Sequence, residues 1–171
     1  MKHTISVLVE NKFGVLARIA GLFSARGFNI MSLAVGETED PTTSRMTIVV
    51  KGDDRTLEQI KKQLNKLIDT IKVVDFKEGE FLDREMILVK AAVAAKTRKE
   101  ILEAVETAGG RIVNAGSKSV TVELAGDQTR IKTILELLKP FGILEVVRTG
   151  RIAMSTADKG LVIEGKPEVN E

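Results

Sequence analysis

Four residues near the N-terminus, Asn11, Gly14, Val15 and Leu16, have the types and spacing to bind a small anion that also carries an ammonium group. They lie in Glu10-Asn11-Lys12-Phe13-Gly14-Val15-Leu16, between the apolar run Ile5-Ser6-Val7-Leu8-Val9 and a helical pattern starting near Val15. A helix start carries N–H groups without intrahelical partners and a partial positive charge, so it can hold a carboxylate. Gly14 lets the backbone approach a ligand with no Cβ in the way. A free α-amino acid suits these parts. Its carboxylate would take the N–H groups of Gly14, Val15 and Leu16. Asn11 would either accept from the ammonium through its oxygen or donate to the carboxylate through its NH₂. Taken alone, such a turn is read as an ordinary strand-to-helix connection.

Other chemistries find fewer parts. The single histidine, His3, opens a strand with no cysteine or second histidine to share a metal, which makes it a strand-end or surface residue. The carboxylates mostly lie at helix starts or on Glu/Lys-rich faces such as Glu58 to Lys66, where solvation explains them better than an acid/base dyad. Glu37, Glu39 and Asp40 crowd one acidic loop within reach of a divalent ion, and a solvated hairpin is the preferred reading because hard cations want more fixed oxygen ligands. No serine sits in a nucleophile elbow, and no Walker or dinucleotide glycine pattern occurs. The expectation is no catalytic residue, no metal and no cofactor in this chain. With 26 basic against 24 acidic residues there is no basic footprint for nucleic acid or anionic membrane. There is no cysteine to form a disulfide, no apolar stretch near the ~20 residues of a membrane span, and no signal-peptide pattern. A cytoplasmic location is expected.

The elements that must position Asn11 and Gly14 are written twice. His3 to Val9 alternates as a strand; Leu16, Ile19, Leu22 and Phe23 fall at helical spacing, with Gly27 as a stop. Phe28 to Val35 and Arg45 to Val50 read as a hairpin around the turn-like Gly36 to Thr43. Asp53 or Asp54 caps a helix carrying Leu57, Ile60, Leu64, Leu67 and Ile68, and Ile71 to Phe76 closes the unit. The second half repeats the order with a strand at Glu85 to Val93, a helix closed by Gly109-Gly110 and a short hairpin at Gly116-Ser117-Lys118. A helix opened by Asp127 and stopped by Pro140 follows, then a strand at Ile143 to Arg148. Ile5 pairs with Ile87 at an offset of 82 and Gly52-Asp53 with Gly126-Asp127 at 74, the second hairpin being eight residues shorter.

The expected fold is therefore α+β: two ferredoxin-like βαββαβ domains in tandem, each a four-stranded antiparallel sheet with two helices on one face. The domains run over 1–79 and 80–154, with a flexible tail over 155–171 in which Leu161-Val162-Ile163 is the one apolar run. This fold also serves RNA binding through aromatics on the central strands. Here those strands carry none, and the chain has no Tyr or Trp. The second copy's turn, Ala94-Ala95-Lys96-Thr97-Arg98, has neither glycine nor asparagine, so only the first copy has the parts of an amino-acid site.

Asn-x-x-Gly-Val-Leu at the first turn of such a unit resembles the ACT domain, an amino-acid-sensing module. A narrower resemblance is carried by Leu8 to Arg18, Gly21 to Ile30 (Gly-Leu-Phe-Ser-Ala-Arg-Gly-Phe-Asn-Ile), Ser44 to Ile48, and Arg84 to Lys90. It runs to about Met154 and is to the small regulatory subunits of acetolactate (acetohydroxyacid) synthase. The resemblance implies a non-catalytic subunit that activates a catalytic large subunit and confers feedback inhibition by valine, or by isoleucine or leucine. It implies that thiamine diphosphate, FAD and magnesium belong to that partner. It also implies a homodimer through the ACT domains, with the effector held by Asn11, Gly14, Val15 and Leu16 of one chain and Asn29 of its neighbour. Many ACT domains carry aspartate where this chain has Asn11; the asparagine fits the narrower branch. With strand order 4-1-3-2, Asn29 opens an edge strand, which invites pairing with a second copy. Its bland alternative is a strand-start cap after Gly27. The rival function is a stand-alone amino-acid sensor acting on a different enzyme or a transcription partner.

Overall fold

The computed structural model describes residues 1–158 and residue 160. The expected flexible tail, including Leu161-Val162-Ile163, lies outside those residues apart from its first few positions. The chain divides into two compact units, Asp83–Arg151 and Met1–Leu82 together with the segment that starts at Ile152.

In the first unit, β1 (Lys2–Glu10), α1 (Val15–Ala25), β2 (Ile30–Glu37), β3 (Thr43–Lys51), α2 (Asp54–Leu64) and β4 (Thr70–Phe76) follow in the expected order. The sheet runs β2-β3-β1-β4, antiparallel throughout, with β2 and β4 at its edges. One face meets the helices. Ile5, Val7 and Val9 of β1 and Met46, Ile48 and Val50 of β3 pack with Ile19, Leu22 and Phe23 of α1 and Leu57, Ile60 and Leu64 of α2. Each of these large side chains contributes roughly 1.5–3 kcal/mol by leaving water, which fixes the register because a one-residue slip would turn the whole set outward.

The second unit has β5 (Phe81–Ala92), α3 (Arg98–Thr107), β6 (Arg111–Ala115), β7 (Ser119–Gly126), α4 (Gln128–Leu138) and β8 (Ile143–Arg148). Its sheet order, β6-β7-β5-β8, repeats that of the first. Ile87 and Val89, Val122 and Leu124, Ile101 and Val105, and Ile131, Ile134 and Leu138 form an equivalent core. The tandem βαββαβ architecture is as the sequence reads.

Three local features differ from that reading. First, Asn29 lies one residue before β2 instead of opening it. The residues after α1 are used to close the helix: Gly27 adopts φ 68, its N–H donates to Ser24 O, and Phe28 N–H reaches back to Phe23 O. The Phe23 and Phe28 rings meet edge-on at 6.3 Å, so this is a glycine-closed helix end with its apolar contact. Second, β2 extends to Glu37, which shortens the hairpin loop to Thr38–Thr42. Asp40 builds that loop, accepting from Thr42 N and Thr42 Oγ1 (3.0 and 2.7 Å) through Oδ1 and from Thr43 N through its carbonyl.

Third, a ninth strand, β9 (Ile152–Ser155), pairs with β5 and makes the second sheet five-stranded. The sequence reading counts these residues with the second domain, yet they pack with the first unit. Ala153 N–H donates to Thr47 Oγ1 (3.3 Å), Arg45 Nη2 donates to Ala153 O (2.8 Å), and Thr156 N–H donates to Glu80 O. This return segment lies against the face of the first sheet opposite the helices. Thr4 to Val9 are accordingly buried without a break, where alternation predicts one wet face. Thr4, Ser6 and Thr47, all under 5% exposed, keep that second face polar enough to hydrogen-bond. Arg45 is half-buried there with its Nε on Ser6 Oγ (3.0 Å), and burial lowers its pKa from the ordinary arginine value.

Both second helices are capped by aspartate. Asp53 accepts from Thr56 N (2.8 Å) and Thr56 Oγ1, and Asp127 accepts from Arg130 N (2.9 Å). The Thr56 hydroxyl first, and its backbone N–H next, hold the Asp53 carboxyl below its ordinary range. A depressed folded pKa stabilises the native state above the unfolded value, about 3.9 for aspartate, and the contribution is lost as pH falls through the lowered folded value. Asp53→Ser keeps a cap that does not titrate. Its thermal midpoint is expected to fall less steeply than the wild type's below pH 4, and parallel curves in melts from pH 2 to 7 would refute this.

Candidate functional site

Gly14 is the N-cap of α1, with φ 82 and ψ −6. This left-handed conformation is open to glycine at little cost and strained for most other residues. A Cβ built there would meet nothing within 4 Å, so the space in front of the turn is open. No side chain caps α1, and its first turn holds no acidic residue. The other three α-helices are each compensated, α2 and α4 by an aspartate cap and α3 by Glu100 in its first turn. The start of α1 is left with its partial positive charge facing solvent.

The elements divide the labour among the site residues. Val15 is 3% exposed and belongs to the core, so only its backbone can face a ligand; its N–H makes a long 3.4 Å bond to Lys12 O. Leu16, 42% exposed, can shelter an apolar side chain. Asn11 is tied to the hairpin. Its N–H donates to Thr42 O (2.7 Å), and its Nδ2 donates to Pro41 O (2.8 Å) and to Glu37 Oε1 (2.9 Å). Sequence reasoning puts Glu37 in a solvated acidic loop; its contact with Asn11 arises only when the hairpin folds back over the turn. Lys12 pairs with Glu10 at 2.7 Å, and that hydrogen bond, with the charges of Glu10 and Asp69, raises its pKa. His3 is the second residue of β1, its Nε2 3.2 Å from Gly52 O. Among the described residues, no three His, Asp or Glu side chains are grouped to hold a metal ion.

Asn29 is not brought to the other four residues. It lies beyond the C-terminal end of α1, whose eleven residues span roughly 16 Å, while Asn11 and Gly14 lie at its start. Its exposed side chain has no hydrogen-bond partner among the described residues. One chain alone therefore brings together four of the five predicted residues.

The second unit serves as an internal control. Ile5 faces Ile48 as Ile87 faces Leu124, so Asn11 and Thr42 correspond to Val93 and Lys118. The backbone clasp is the same, with Val93 N–H donating to Lys118 O at 2.9 Å. The chemistry is not. Valine replaces asparagine, Thr97 stands at the N-cap position without left-handed geometry and with its hydroxyl bonded to Ala94 instead of the helix, and Arg98 reaches across to Gly116 O. The fold needs the clasp but not the Asn11 side chain or the left-handed glycine.

A βαββαβ unit with a glycine-turned first helix start beside an asparagine is the arrangement of an ACT-type module, and its matches to known proteins agree. Residues 5–72 match the family model described as the AHAS small subunit-like ACT domain, and residues 84–157 match the one described as the small subunit of acetolactate synthase. The chain is 49% identical to the acetolactate synthase small subunit of Mycobacterium leprae, over 93% of this chain and 94% of that one. It is 50% identical to the probable acetolactate synthase small subunit of Archaeoglobus fulgidus, over 93% and 99%. The crystal structure of the acetolactate synthase small subunit from Thermotoga maritima superposes with a TM-score of 0.85 at 38% identity, over 93% and 99%. The chain belongs to the acetolactate synthase small-subunit family, and its role is that of a regulatory, non-catalytic subunit.

Proposed function

We propose that this chain binds a branched-chain amino acid at the start of α1 and transmits that binding to a catalytic large subunit of acetolactate synthase, which it activates in the absence of the effector. The observation that carries the reading is the left-handed, acid-free helix start at Gly14 beside Asn11; the equivalent start of α3 also lacks a side-chain cap but carries Glu100 in its first turn and has neither the glycine nor the asparagine. The effector's carboxylate sits on the free N–H groups of that start, its apolar side chain lies against Leu16, and Asn29 comes from a second copy.

The position of Asn29 supports a two-fold dimer. Antiparallel pairing of β2 with its own copy along its full length would set Ile30 of one chain opposite Glu37 of the other. Asn29 of one chain then falls beside the Glu37–Asn11 contact of its partner. β2 is the last strand of the sheet on its side among the described residues, and its Met31 and Val35 are 45% and 48% exposed. Exposed apolar residues on an unprotected edge are the ingredients of strand pairing. The second domain contributes to the contact with the large subunit. Thiamine diphosphate, FAD and magnesium are held by that subunit, and the complex works in the cytoplasm. Among the described residues, no helix is long and apolar enough to cross a membrane.

Couplings between an effector site and a second function are typically ~1–3 kcal/mol, or about 5- to 150-fold. Mixing this chain with the large subunit is expected to raise acetolactate production several-fold. Adding valine, isoleucine or leucine should reverse the gain with one of them preferred. Production that does not respond to this chain, with an amino acid still bound, would replace this reading with the stand-alone sensor.

A further inference from the structure

We infer that Glu37 is part of the effector site, where it fixes Asn11 as an acceptor and supplies counter-charge to the effector's ammonium group. The inference rests on the effector site proposed above. Asn11 can in principle serve either end of an amino acid, because its amide has both donors and an acceptor. The fold removes that choice. Both Nδ2 protons are taken within the chain, by Glu37 Oε1 at 2.9 Å and Pro41 O at 2.8 Å. The reversed amide would set Oδ1 against a carboxylate and a carbonyl, two acceptors, so the neighbours determine the orientation. Only Oδ1 remains for a ligand, and an acceptor recognises the ammonium, not the carboxylate. The carboxylate is left to the N–H groups at the start of α1, where the helix charge favours it.

Glu37 then has two roles in one place. Its Oε1 holds the amide, and its charge lies within roughly 6 Å of an ammonium bound to Asn11 Oδ1, as the amide width and hydrogen-bond lengths dictate. Asn11 itself is neutral and cannot balance the ammonium. The second unit supports this by contrast. It keeps the backbone clasp between turn and hairpin but has neither the amide nor the acid, its short loop being Gly116-Ser117-Lys118. The acid is therefore not needed to close the hairpin on the turn.

Calorimetric titration of the full chain tests this, first with valine, isoleucine and leucine, then with the 2-hydroxy acid matching the amino acid that binds tightest. Glu37→Gln keeps a hydrogen-bonding side chain and removes the charge. Glu39→Gln removes the same charge from a loop position that makes no contact with Asn11. Glu37→Gln is expected to weaken the amino acid by about three- to tenfold, the range for a charge pair partly screened by water, while changing the hydroxy acid little. Glu39→Gln should leave both as in wild type. Unchanged amino-acid affinity in Glu37→Gln would overturn the inference and leave the site standing. Equal weakening of both ligands would also overturn it, since Glu37 would then only brace the turn. A wild type that binds no branched-chain amino acid would remove the site itself, and this inference with it.

Discussion

Gly14→Asp is expected to abolish effector binding while the protein stays folded. The substituted carboxylate would project into the open space in front of the turn, where no atom lies within 4 Å of the place a Cβ would take. There it takes the helix-start N–H groups that the effector's carboxylate needs. Two like charges about 4 Å apart at a protein surface repel by about 4 kcal/mol, which is near a thousandfold in affinity. Against this stands the cost to the fold. A non-glycine residue at φ 82 is strained by roughly 1–2 kcal/mol, with aspartate among the residues that tolerate it best, and an acid at a helix start returns a few tenths to 1 kcal/mol. The binding term is the larger. Calorimetry should show no heat with the preferred amino acid, near-native melting, and an enzyme complex that is activated but no longer inhibited. Wild-type affinity in this variant would sink the assignment of the site to the start of α1.

The second large effect is expected from the edge of the first sheet. Met31→Lys combined with Val35→Lys places two charges on β2, where both native side chains are already about half exposed. Little core packing is lost, because the helix-facing core rests on β1, β3, α1 and α2. Strand pairing with a second copy would have to bring the charge at position 31 of one chain close to that at position 35 of the other, the device by which natural edges avoid association. Sedimentation should show a monomer. Effector affinity should fall at least tenfold, because the partner's Asn29 is withdrawn and the remaining site is open to water. A double variant that stays dimeric would show that the copies meet elsewhere. A monomer that still binds at full strength would show that Asn29 has no part in the site.

Gly14 can be read from the chain as a glycine at a helix start, because strand, turn and helix are neighbours in sequence; its left-handed φ of 82 is added by the structure. The aspartate caps at Asp53 and Asp127 are legible for the same reason, since a cap bonds to a residue three positions away. The duplicated order of elements implies the sheet order as well, because a βαββαβ chain with short connections has few ways to cover one sheet face. The end of α1 is harder to read, and β2 starts two residues later than its residue types suggest. Phe28 reads as the first residue of a strand by type, but its N–H and ring are spent on closing the helix at Phe23.

β9 escapes a reading of the sequence altogether. Ile152-Ala153-Met154-Ser155 is too short to carry a period, and its place depends on Thr47 and Arg45, more than a hundred residues earlier. Glu37 escapes for the same reason. Its loop composition says solvated acid, and nothing in the sequence between it and Asn11, 26 positions earlier, announces the amide it holds. By itself, then, the sequence determined what depends on neighbours along the chain: the two repeated units, the glycine at the first helix start, the helix caps and the family. Tertiary structure alone decided which atoms of Asn11 remain for a ligand, that Glu37 holds its amide, and that a returning strand covers the second face of the sheet. These are contacts between segments far apart in sequence. Residue types constrain such contacts only weakly, whereas a folded backbone fixes them to within a hydrogen bond.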